Sequence, residues 1–318
     1  MRIGLLNNLR AGRNRRRAQR VLRAIDGAKD VLHVATPSAE AVPDALAVME
    51  RADVELVIVN GGDGTLERVL TALHADAKPS WSPAIAPIRG GRTNMTAADL
   101  GAARDSIRGL REVLAAARAG RLEERVVRRS VLRVAKHHGA DVRCGMFAAA
   151  GMLGRAVTLT TRHLPKGRAQ ETFGVALVTG ALVGNVLSGA RGEIMRADKI
   201  RLAFDGEPLP DEERLVTLFT TLDRLIFGIR PCWGTGPGPI RATLVRGGAE
   251  RMSRTIPAIL RGRAPAFATP EHGYTSANAA RVELAADCEV TVDGELFPVE
   301  PNAAYTITAA ERVRFVRA

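Results

Sequence analysis

Five consecutive residues, Gly61-Gly62-Asp63-Gly64-Thr65, have the composition of a phosphate-binding loop. They follow an apolar run, Leu56 to Asn60, that predicts a buried strand, and they precede a segment that predicts a helix starting near Leu66. Glycines let backbone N–H groups approach an anion, and the positive end of a helix dipole stabilises a negative charge by about 0.3–1 kcal/mol. A carboxylate beside a polyphosphate favours Mg²⁺ or a reacting hydroxyl between the two. The same residues can also form a plain helix-capping turn.

A second candidate is the tripeptide Asp-Gly-Glu, which occurs at Asp205-Gly206-Glu207 and again at Asp293-Gly294-Glu295. Asp-Gly is the commonest signal of a β-hairpin turn, so both copies can be structural. Prolines and acidic residues follow the first copy, which predicts an exposed loop. The second copy follows a predicted strand, Glu289 to Val292. A carboxylate in that position can accept the proton of a hydroxyl that attacks a phosphate.

The first third of the chain alternates predicted strands with predicted helices, up to a helix over 106–119. This alternation predicts an α/β domain, a three-layer, doubly wound parallel sheet, whose ligand face lies at the carboxyl ends of its strands. After Gly120 the pattern changes to short strands separated by Asp-Gly, Gly-Gly and proline breaks, which predicts a mainly antiparallel domain. The predicted strands of that region are 125–135, 141–148, 200–204, 215–220, 241–245, 281–284 and 289–292.

These patterns place a domain boundary near 121–125. We expect an α/β domain at 1–124, joined by the C-terminal strand 311–318, and a mainly antiparallel domain at 125–310. A helical insertion near 154–187 interrupts the second domain. Residues 173–178 within it are apolar on nearly all sides, which is typical of a buried core helix. The alternative is a helix that lines a groove for an acyl chain.

The chain has 318 residues, of which 46% are hydrophobic, and a formal net charge of +12. This charge favours acidic partners, namely nucleotide phosphates, an anionic membrane surface or nucleic acid. Only 4% of the residues are aromatic, which argues against nucleic acid, because its binders place aromatic side chains among basic ones. Two arginine clusters are candidates for membrane contact, and the first can equally be a solvated helix face. They are Arg13, Arg15, Arg16, Arg17, Arg20 and Arg23, and then Arg251, Arg254, Arg261 and Arg263 with the apolar Ile256, Ile259 and Leu260.

Three cysteines far apart indicate neither a disulfide framework nor a zinc site, which fits a reducing compartment. The apolar N-terminal stretch precedes its arginines, the reverse of a secretory signal. The uncharged run 173–187 is shorter than the roughly 20 apolar residues of a membrane-spanning helix. We therefore expect a cytoplasmic protein, peripheral at the inner face of the membrane.

Two motifs in order, Gly-Gly-Asp-Gly-Thr at 61–65 and Val-Asp-Gly-Glu at 292–295, resemble the diacylglycerol kinase catalytic-domain superfamily. This superfamily includes bacterial diacylglycerol kinases and the sphingosine and ceramide kinases. Weaker similarities are the turn at 8–12, Thr36 after the second strand, and the segment 91–94 with Leu100-Gly101. The resemblance runs through nearly the whole chain. It implies that the domain at 1–124 with 311–318 binds the nucleotide and that the domain at 125–310 is a β-sandwich for the lipid substrate.

The resemblance implies an ATP-dependent lipid kinase that uses Mg²⁺ and transfers the γ-phosphate to a hydroxyl of diacylglycerol, ceramide or a sphingoid base. It implies that Glu295 is the general base, supported by Asp293, and that Asp63 takes part in catalysis. The implied nucleotide contacts are Asn8, Thr36, Gly61, Gly62, Asp63, Gly64, Thr65, Glu67, Arg92 and Asn94. Two alternatives stay open: a kinase with a soluble acceptor, of the NAD kinase type, and a non-catalytic relative that binds nucleotide or membrane.

Three positions depart from the family pattern. Leu9 replaces a proline, Arg92 replaces a threonine, and Arg68 stands where relatives often carry glutamate, with Glu67 one residue earlier. Arginines beside a phosphate loop can make bidentate contacts with a triphosphate, so we interpret these changes as altered nucleotide recognition.

Overall fold

The computed structural model describes residues 1–9, 11, 14–76, 79–91, 93–137, 141–163 and 195–318. The chain divides into two compact units. The first unit comprises residues 1–131 and 310–318, and the second comprises residues 132–309. The first unit therefore extends past the predicted boundary at 121–125, because Val126 packs against its core.

Strands and helices alternate in the first unit. Its elements are β1 (Ile3–Asn8), α1 (Asn14–Ala24), β2 (Val31–Thr36), α2 (Val42–Arg51), β3 (Leu56–Gly61), α3 (Asp63–His74), β4 (Ala84–Arg89), α4 (Met95–Asp99) and α5 (Ser106–Arg118). Short strands dominate the rest of the described chain. They and their helices are β5 (Val126–Lys136), β6 (Val142–Gly145), β7 (Phe147–Gly151), α6 (Met152–His163), β8 (Asp198–Phe204), β9 (Glu207–Pro208), β10 (Glu213–Thr220), β11 (Ile240–Arg246), α7 (Met252–Leu260), β12 (Tyr274–Ala279), β13 (Val282–Ala286), β14 (Val290–Val292), β15 (Glu295–Leu296) and β16 (Ala303–Val316).

The sheet of the first unit is parallel, with its strands in the order β2-β1-β3-β4. Helices cover both of its faces. Leu5 of β1 shares a core with Leu110 and Val113 of α5. Successive strand residues point to opposite faces. Accordingly, a Cβ added at Gly4 would lie 2.8 Å from the sulfur of Met49 in α2. The predicted three-layer α/β architecture is confirmed.

The C-terminal end of β16 completes this parallel sheet, since Phe315 pairs with Ile85 of β4. Phe315 and Val316 are fully buried, and the N–H of Arg317 donates to the carbonyl of Arg125 at 2.9 Å. The strand predicted at 311–318 is therefore present, but it begins earlier, at Ala303.

The second unit is built from two sets of antiparallel strands. One set has the order β15-β14-β7-β10-β11-β12, and the other has the order β9-β8-β13-β16-β5-β6. The sets are joined because β8 also pairs with β10. Inward side chains of both sets share one core, in which Phe204 of β8 meets Phe219 of β10 edge to face at 6.4 Å. The predicted antiparallel sandwich is confirmed.

Several elements differ from those predicted. The strand predicted at 141–148 is two strands, because the chain turns at Met146, between β6 and β7. Helix α3 begins at Asp63 rather than near Leu66, so most of the glycine loop is the first turn of the helix. Helix α7 and strand β12 were not predicted.

The second arginine cluster lies on and beside α7, but its apolar residues differ from the prediction. Ile256 and Ile259, predicted to insert into a membrane, are buried in a core with Tyr274. A helix with one buried face presents its polar face to solvent, which explains why the arginines are exposed while the isoleucines are not.

Helix α6 forms the start of the predicted insertion near 154–187. The remainder, including the uncharged run 173–187, lies outside the described residues, as do Arg13 of the first arginine cluster and Arg92. Within the described parts of the chain, no helix has both the length and the apolar character that crossing a bilayer requires.

Candidate active site

The predicted nucleotide contacts of the first unit cluster at the carboxyl edge of its parallel sheet. The register of the strands sets Asn8 of β1 beside Thr36 of β2 and sets Gly61 of β3 beside Arg89 of β4. Because parallel strands end at the same edge, residues from four separate segments meet there. The sequence predicted this edge as the ligand face.

A buried hydrogen bond ties β1 to the glycine loop. The side-chain amide of Asn8 donates to the hydroxyl of Thr65 in the first turn of α3 at 2.9 Å. The N–H of Leu9 donates to the carbonyl of Thr36 at 3.2 Å, which closes the same corner on the other side. Asn8, Thr36 and Thr65 are all buried, so they hold the loops in place around the site.

Two glycines let the loops after β3 and β4 approach each other. A Cβ added at Gly91 would lie 2.3 Å from the Cα of Gly62, a distance that real Cβ atoms do not adopt. Any larger residue at Gly91 would push the two loops apart. Gly91 was not among the predicted site residues, although the Gly90-Gly91 pair directly after a strand is a signal of such an approach.

Asn94 closes the turn that carries Gly91. Its amide oxygen accepts the N–H of Gly91 at 2.8 Å, and its amide nitrogen donates to the carbonyl of the same residue at 2.7 Å. Its backbone is left-handed, with φ 50°, a conformation that asparagine tolerates well. Asn94 was predicted as a nucleotide contact, and here its side chain is engaged in shaping the loop.

Asp63 is the first residue of α3, and its carboxylate points to the start of α4. It accepts the N–H of Thr96 at 3.4 Å, and the backbone N–H groups of Met95 and Asn94 interact with it as well. Burial raises the pKa of the Asp63 carboxyl above its ordinary value, and these N–H groups oppose part of that shift. The charged carboxylate is therefore a poorly solvated anion, which a cation would stabilise.

A shallow cleft opens at this point. Gly61, Gly62, Asp63 and Asn94 line its polar side, and Leu66 and Ala97 belong to its apolar side. Glycine backbone beside a carboxylate and a helix N-terminus is a setting that favours a phosphate group together with a bound cation.

Glu67, another predicted nucleotide contact, is fully buried. Its carboxylate accepts the hydroxyl of Thr71 at 2.9 Å and lies 3.5 Å from the guanidinium of Arg68. These two contacts direct the carboxylate toward its own helix. The ion pair with Glu67 balances the charge of Arg68 beside the glycine loop.

In the second unit, Asp293 and Glu295 share one tight hairpin. Val292 of β14 pairs with Glu295 of β15, and Asp293 and Gly294 between them have φ values of 47° and 94°. Positive φ at both central residues is typical of the type I′ turn, the turn that fits the twist of a hairpin. Glu295 is half-buried at the start of the short strand β15.

Asp293 anchors this hairpin to the neighbouring strands. Its two carboxylate oxygens accept the N–H groups of Met146 and Phe147, each at 3.0 Å. Gly145 makes room for it, because a Cβ there would lie 2.6 Å from the Asp293 carboxylate. The bend that separates β6 from β7 thus forms around Asp293.

The other Asp-Gly-Glu copy uses the same device. Asp205 and Gly206, with φ values of 51° and 90°, connect β8 to β9. One carboxylate oxygen of Asp205 accepts the N–H groups of Ala280 and Arg281, at 2.9 and 2.7 Å. Both copies are therefore hairpin turns in which the aspartate binds two successive backbone N–H groups. The two hairpins differ in the solvent exposure of their glutamate: Glu207 is exposed, whereas Glu295 is half-buried.

The described residues contain no group of three or more His, Cys, Asp or Glu side chains that could hold a metal ion by themselves. A Mg²⁺ ion is commonly held by one or two carboxylates together with the phosphates of its nucleotide. Asp63 fits that arrangement, because it is a poorly solvated carboxylate beside a glycine-lined cleft.

Residues 2–124 match the family model of the diacylglycerol kinase catalytic domain. Three solved structures from Bacillus anthracis str. Sterne are similar over 100% of this chain and 97% of theirs. A "putative diacylglycerol kinase" has a TM-score of 0.74 at 15% identity, and a diacylglycerol kinase has 0.63 at 15%. A further "putative diacylglycerol kinase" has 0.67 at 14%.

At these identities the likeness of the solved structures concerns the fold. No curated protein matches the chain. The resemblance read from the two motifs is confirmed by the family match over the first unit and by the shared fold over the whole chain.

Proposed function

We propose that this protein is an ATP-dependent lipid kinase, and the proposal proceeds from the match of residues 2–124 with the diacylglycerol kinase catalytic domain. The observation that carries it is the glycine-lined cleft at Gly61 and Gly62, beside the carboxylate of Asp63. A phosphoryl-transfer enzyme needs such a place, where backbone N–H groups hold the phosphates and a carboxylate holds their counter-ion.

In the proposed reaction the first unit binds the nucleotide. Gly61, Gly62 and Gly64 offer backbone to the phosphates, and Asn8 and Thr65 keep this loop fixed through their buried hydrogen bond. Asp63 would hold Mg²⁺, which when bound neutralises the charge of the transferred phosphate. Thr36, Glu67 and Asn94 support the loops around the cleft, and Arg92 would add a cation to the triphosphate.

The second unit supplies the base in this proposal. Glu295 accepts the proton of the acceptor hydroxyl, so that the oxygen can attack the γ-phosphate while the bond to the leaving diphosphate breaks. Asp293 is a positioning residue, because its two bonds to Met146 and Phe147 fix the hairpin that carries Glu295. The acceptor is a hydroxyl of a membrane lipid, diacylglycerol or a ceramide or sphingoid base, and the enzyme works as a cytoplasmic, peripheral protein.

The test is transfer of label from γ-labelled ATP with Mg²⁺ to a panel of diacylglycerol, ceramide, sphingosine and NAD. We expect label in a lipid, with a loss of about 10²–10⁴-fold in Glu295→Gln, the usual contribution of a general base. Asp63→Asn is expected to lose a comparable factor, because the counter-ion of the phosphates is no longer held.

The chain provides its own control in the first Asp-Gly-Glu hairpin. Glu207→Gln and Asp205→Asn change the same residue types in the same kind of turn, and we expect both to keep wild-type turnover. Label in NAD would instead indicate the soluble-acceptor kinase. Nucleotide binding without transfer, or wild-type turnover in Asp63→Asn, would rule out the proposed enzyme.

A further inference from the structure

The loop between β10 and β11 presents one aromatic ring to solvent. Phe227 is 71% exposed, more than any other large apolar side chain among the described residues. It lies at the tip of a turn that the N–H of Leu225 closes by donating to the carbonyl of Ile229 at 2.9 Å. A phenylalanine ring carries a large apolar area, and at this loop tip most of that area is open to a partner.

Backbone hydrogen bonds hold this turn in place. Phe227 has φ 58° and ψ 15°, a left-handed conformation that is costly for a bulky residue. The end of the turn is tied to α7, because the N–H of Arg230 donates to the carbonyl of Leu260 at 3.1 Å. A Cβ added at Gly262 would lie 3.2 Å from the Cβ of Arg230, so the two segments are in close contact.

Exposed arginines flank the ring. Arg224 and Arg230 bound the turn, and Arg261 and Arg263 follow α7 directly, where that helix meets Arg230. Neither 224–230 nor 251–270 contains an aspartate or glutamate. We call Arg224, Phe227, Arg230, Arg261 and Arg263 the docking surface. It combines one exposed apolar ring with four exposed arginines, and the acidic residues nearest to it in sequence are Asp223, Glu250 and Glu271.

We propose that the docking surface binds an anionic lipid bilayer, with Phe227 inserted among the acyl chains and the arginines on the headgroup phosphates. The proposal rests on the proposed function, which places the acceptor in a membrane. Guanidinium groups match phosphates in charge and in geometry, and basic residues near an anionic bilayer strengthen binding independently of one another.

One exposed ring suits a bilayer better than a protein partner. A standard protein interface buries about 800 Å² on each side around a packed apolar centre, which a lone phenylalanine cannot supply. A bilayer needs no such centre, because the ring inserts into a fluid apolar layer and the phosphates accept the arginines. The residues that the sequence suggested for insertion, Ile256 and Ile259, are core residues, and Phe227 takes that role.

The test is flotation of the full chain with vesicles of pure phosphatidylcholine or of an equal mixture of phosphatidylcholine and phosphatidylglycerol. We expect binding to the anionic vesicles only. Phe227→Ala should weaken it about tenfold, from the apolar area withdrawn from the bilayer. Arg261→Glu with Arg263→Glu should weaken it at least about twentyfold. Phe227→Trp, which keeps an aromatic ring suited to the interface, should bind like the wild type.

Two control variants make the same kinds of substitution at other surface positions. They test whether the location of the substituted residues matters. Val299→Ala removes the next most exposed apolar side chain, 55% exposed, and Arg51→Glu with Arg121→Glu makes the same change of charge elsewhere on the surface. Both are expected to bind as the wild type does. Equal losses in the controls and in the docking-surface variants, or no binding to anionic vesicles at all, would overturn the proposal.

Kinase assays then distinguish this proposal from the one on which it rests. With a water-soluble, short-chain diacylglycerol, Phe227→Ala should turn over like the wild type, whereas with diacylglycerol in anionic vesicles it should be about tenfold slower. Equal turnover in vesicles would contradict the docking surface while leaving the kinase intact. If the chain transfers no phosphate, vesicle flotation still decides whether this surface binds lipid.

Discussion

The carboxyl group of Asp63, which we propose to act in catalysis, also affects the stability of the folded protein. Folding raises the pKa of its carboxyl above the ordinary value of 3.8, because burial disfavours the charged form. The stability linked to this group is therefore complete below pH 3.8 and is lost as the pH rises through the folded-state pKa. Above the folded-state pKa, where Asp63 is ionised, its charge lowers the stability of the fold unless a cation is bound.

The prediction is that Asp63→Asn unfolds at an equal or higher temperature than the wild type at neutral pH. The difference should shrink as the pH falls toward 3.8, where the wild-type carboxyl becomes neutral as well. Thermal unfolding followed by circular dichroism from acidic to neutral pH measures this. A clearly lower midpoint for the variant at neutral pH would contradict it, and added ATP with Mg²⁺ should stabilise only the wild type.

Asp293 shows that a residue of a predicted catalytic motif can be needed for its backbone contacts. Its carboxylate satisfies two partly buried N–H groups, whereas the two N–H groups on Asp205 are exposed and can turn to water. We predict that Asp293→Ala costs about 1–3 kcal/mol of unfolding free energy and that Asp205→Ala costs less. Urea unfolding of both variants measures the difference, and because both sites have positive φ the backbone cost of alanine cancels. Equal losses would mean that burial of the N–H groups does not matter.

Among the secondary-structure elements, β12 has a glycine-rich segment along its edge. Strand β12 pairs with β11 along one side. Residues 234–238 run along it, with the N–H of Asn278 donating to the carbonyl of Thr235 at 3.0 Å. Alternate glycines allow this contact: a Cβ at Gly238 would lie 1.8 Å from the carbonyl carbon of Ala279. An uncovered strand edge is a template for aggregation.

We therefore predict that Gly238→Ala displaces this segment and makes the protein aggregate in a concentration-dependent way. Thr235→Ala, a change of an exposed side chain in the same segment, is the control and should stay monodisperse. Light scattering during mild heating compares the two. Identical scattering would show that the segment is dispensable.

At the scale of the whole molecule, the C-terminal residues belong to the unit that contains the N-terminus. Phe315 lies fully buried in the parallel sheet of that unit, far from it in sequence. Residues far apart in the chain must therefore meet before the parallel sheet of the first unit is complete.

Replacing Phe315 with alanine tests whether the first unit depends on the end of β16 for its stability. Phe315→Ala should cost about 3–5 kcal/mol, the usual range for a buried phenylalanine. Phe227→Ala, at the exposed position, should change stability by less than about 0.5 kcal/mol. Denaturant unfolding of the two variants gives both values, and a small loss in Phe315→Ala would mean that the strand contributes little to the fold of the first unit.

The sequence alone determined the features that depend on local pattern. Alternating apolar segments predicted the parallel sheet, and the two motifs predicted the family that matches residues 2–124. Element type follows from such periods because each residue responds to its own neighbours in the chain. The same reasoning predicted that the glycine loop lies at the carboxyl edge of the sheet, whereas Asn8 and Thr36 were assigned to the site by the resemblance.

Only the tertiary structure decided which residues far apart in the chain are in contact and which side chains are left exposed. Ile256 and Ile259 have the composition of a membrane-inserting pair, but packing against Tyr274 buries them and leaves Phe227 exposed. Asn94 and Asp293 were predicted as site residues, yet their side chains bind backbone groups of Gly91, Met146 and Phe147. The contact of Gly62 with Gly91 joins loops from two different strands. These outcomes depend on pairs far apart in the chain, which local composition does not encode.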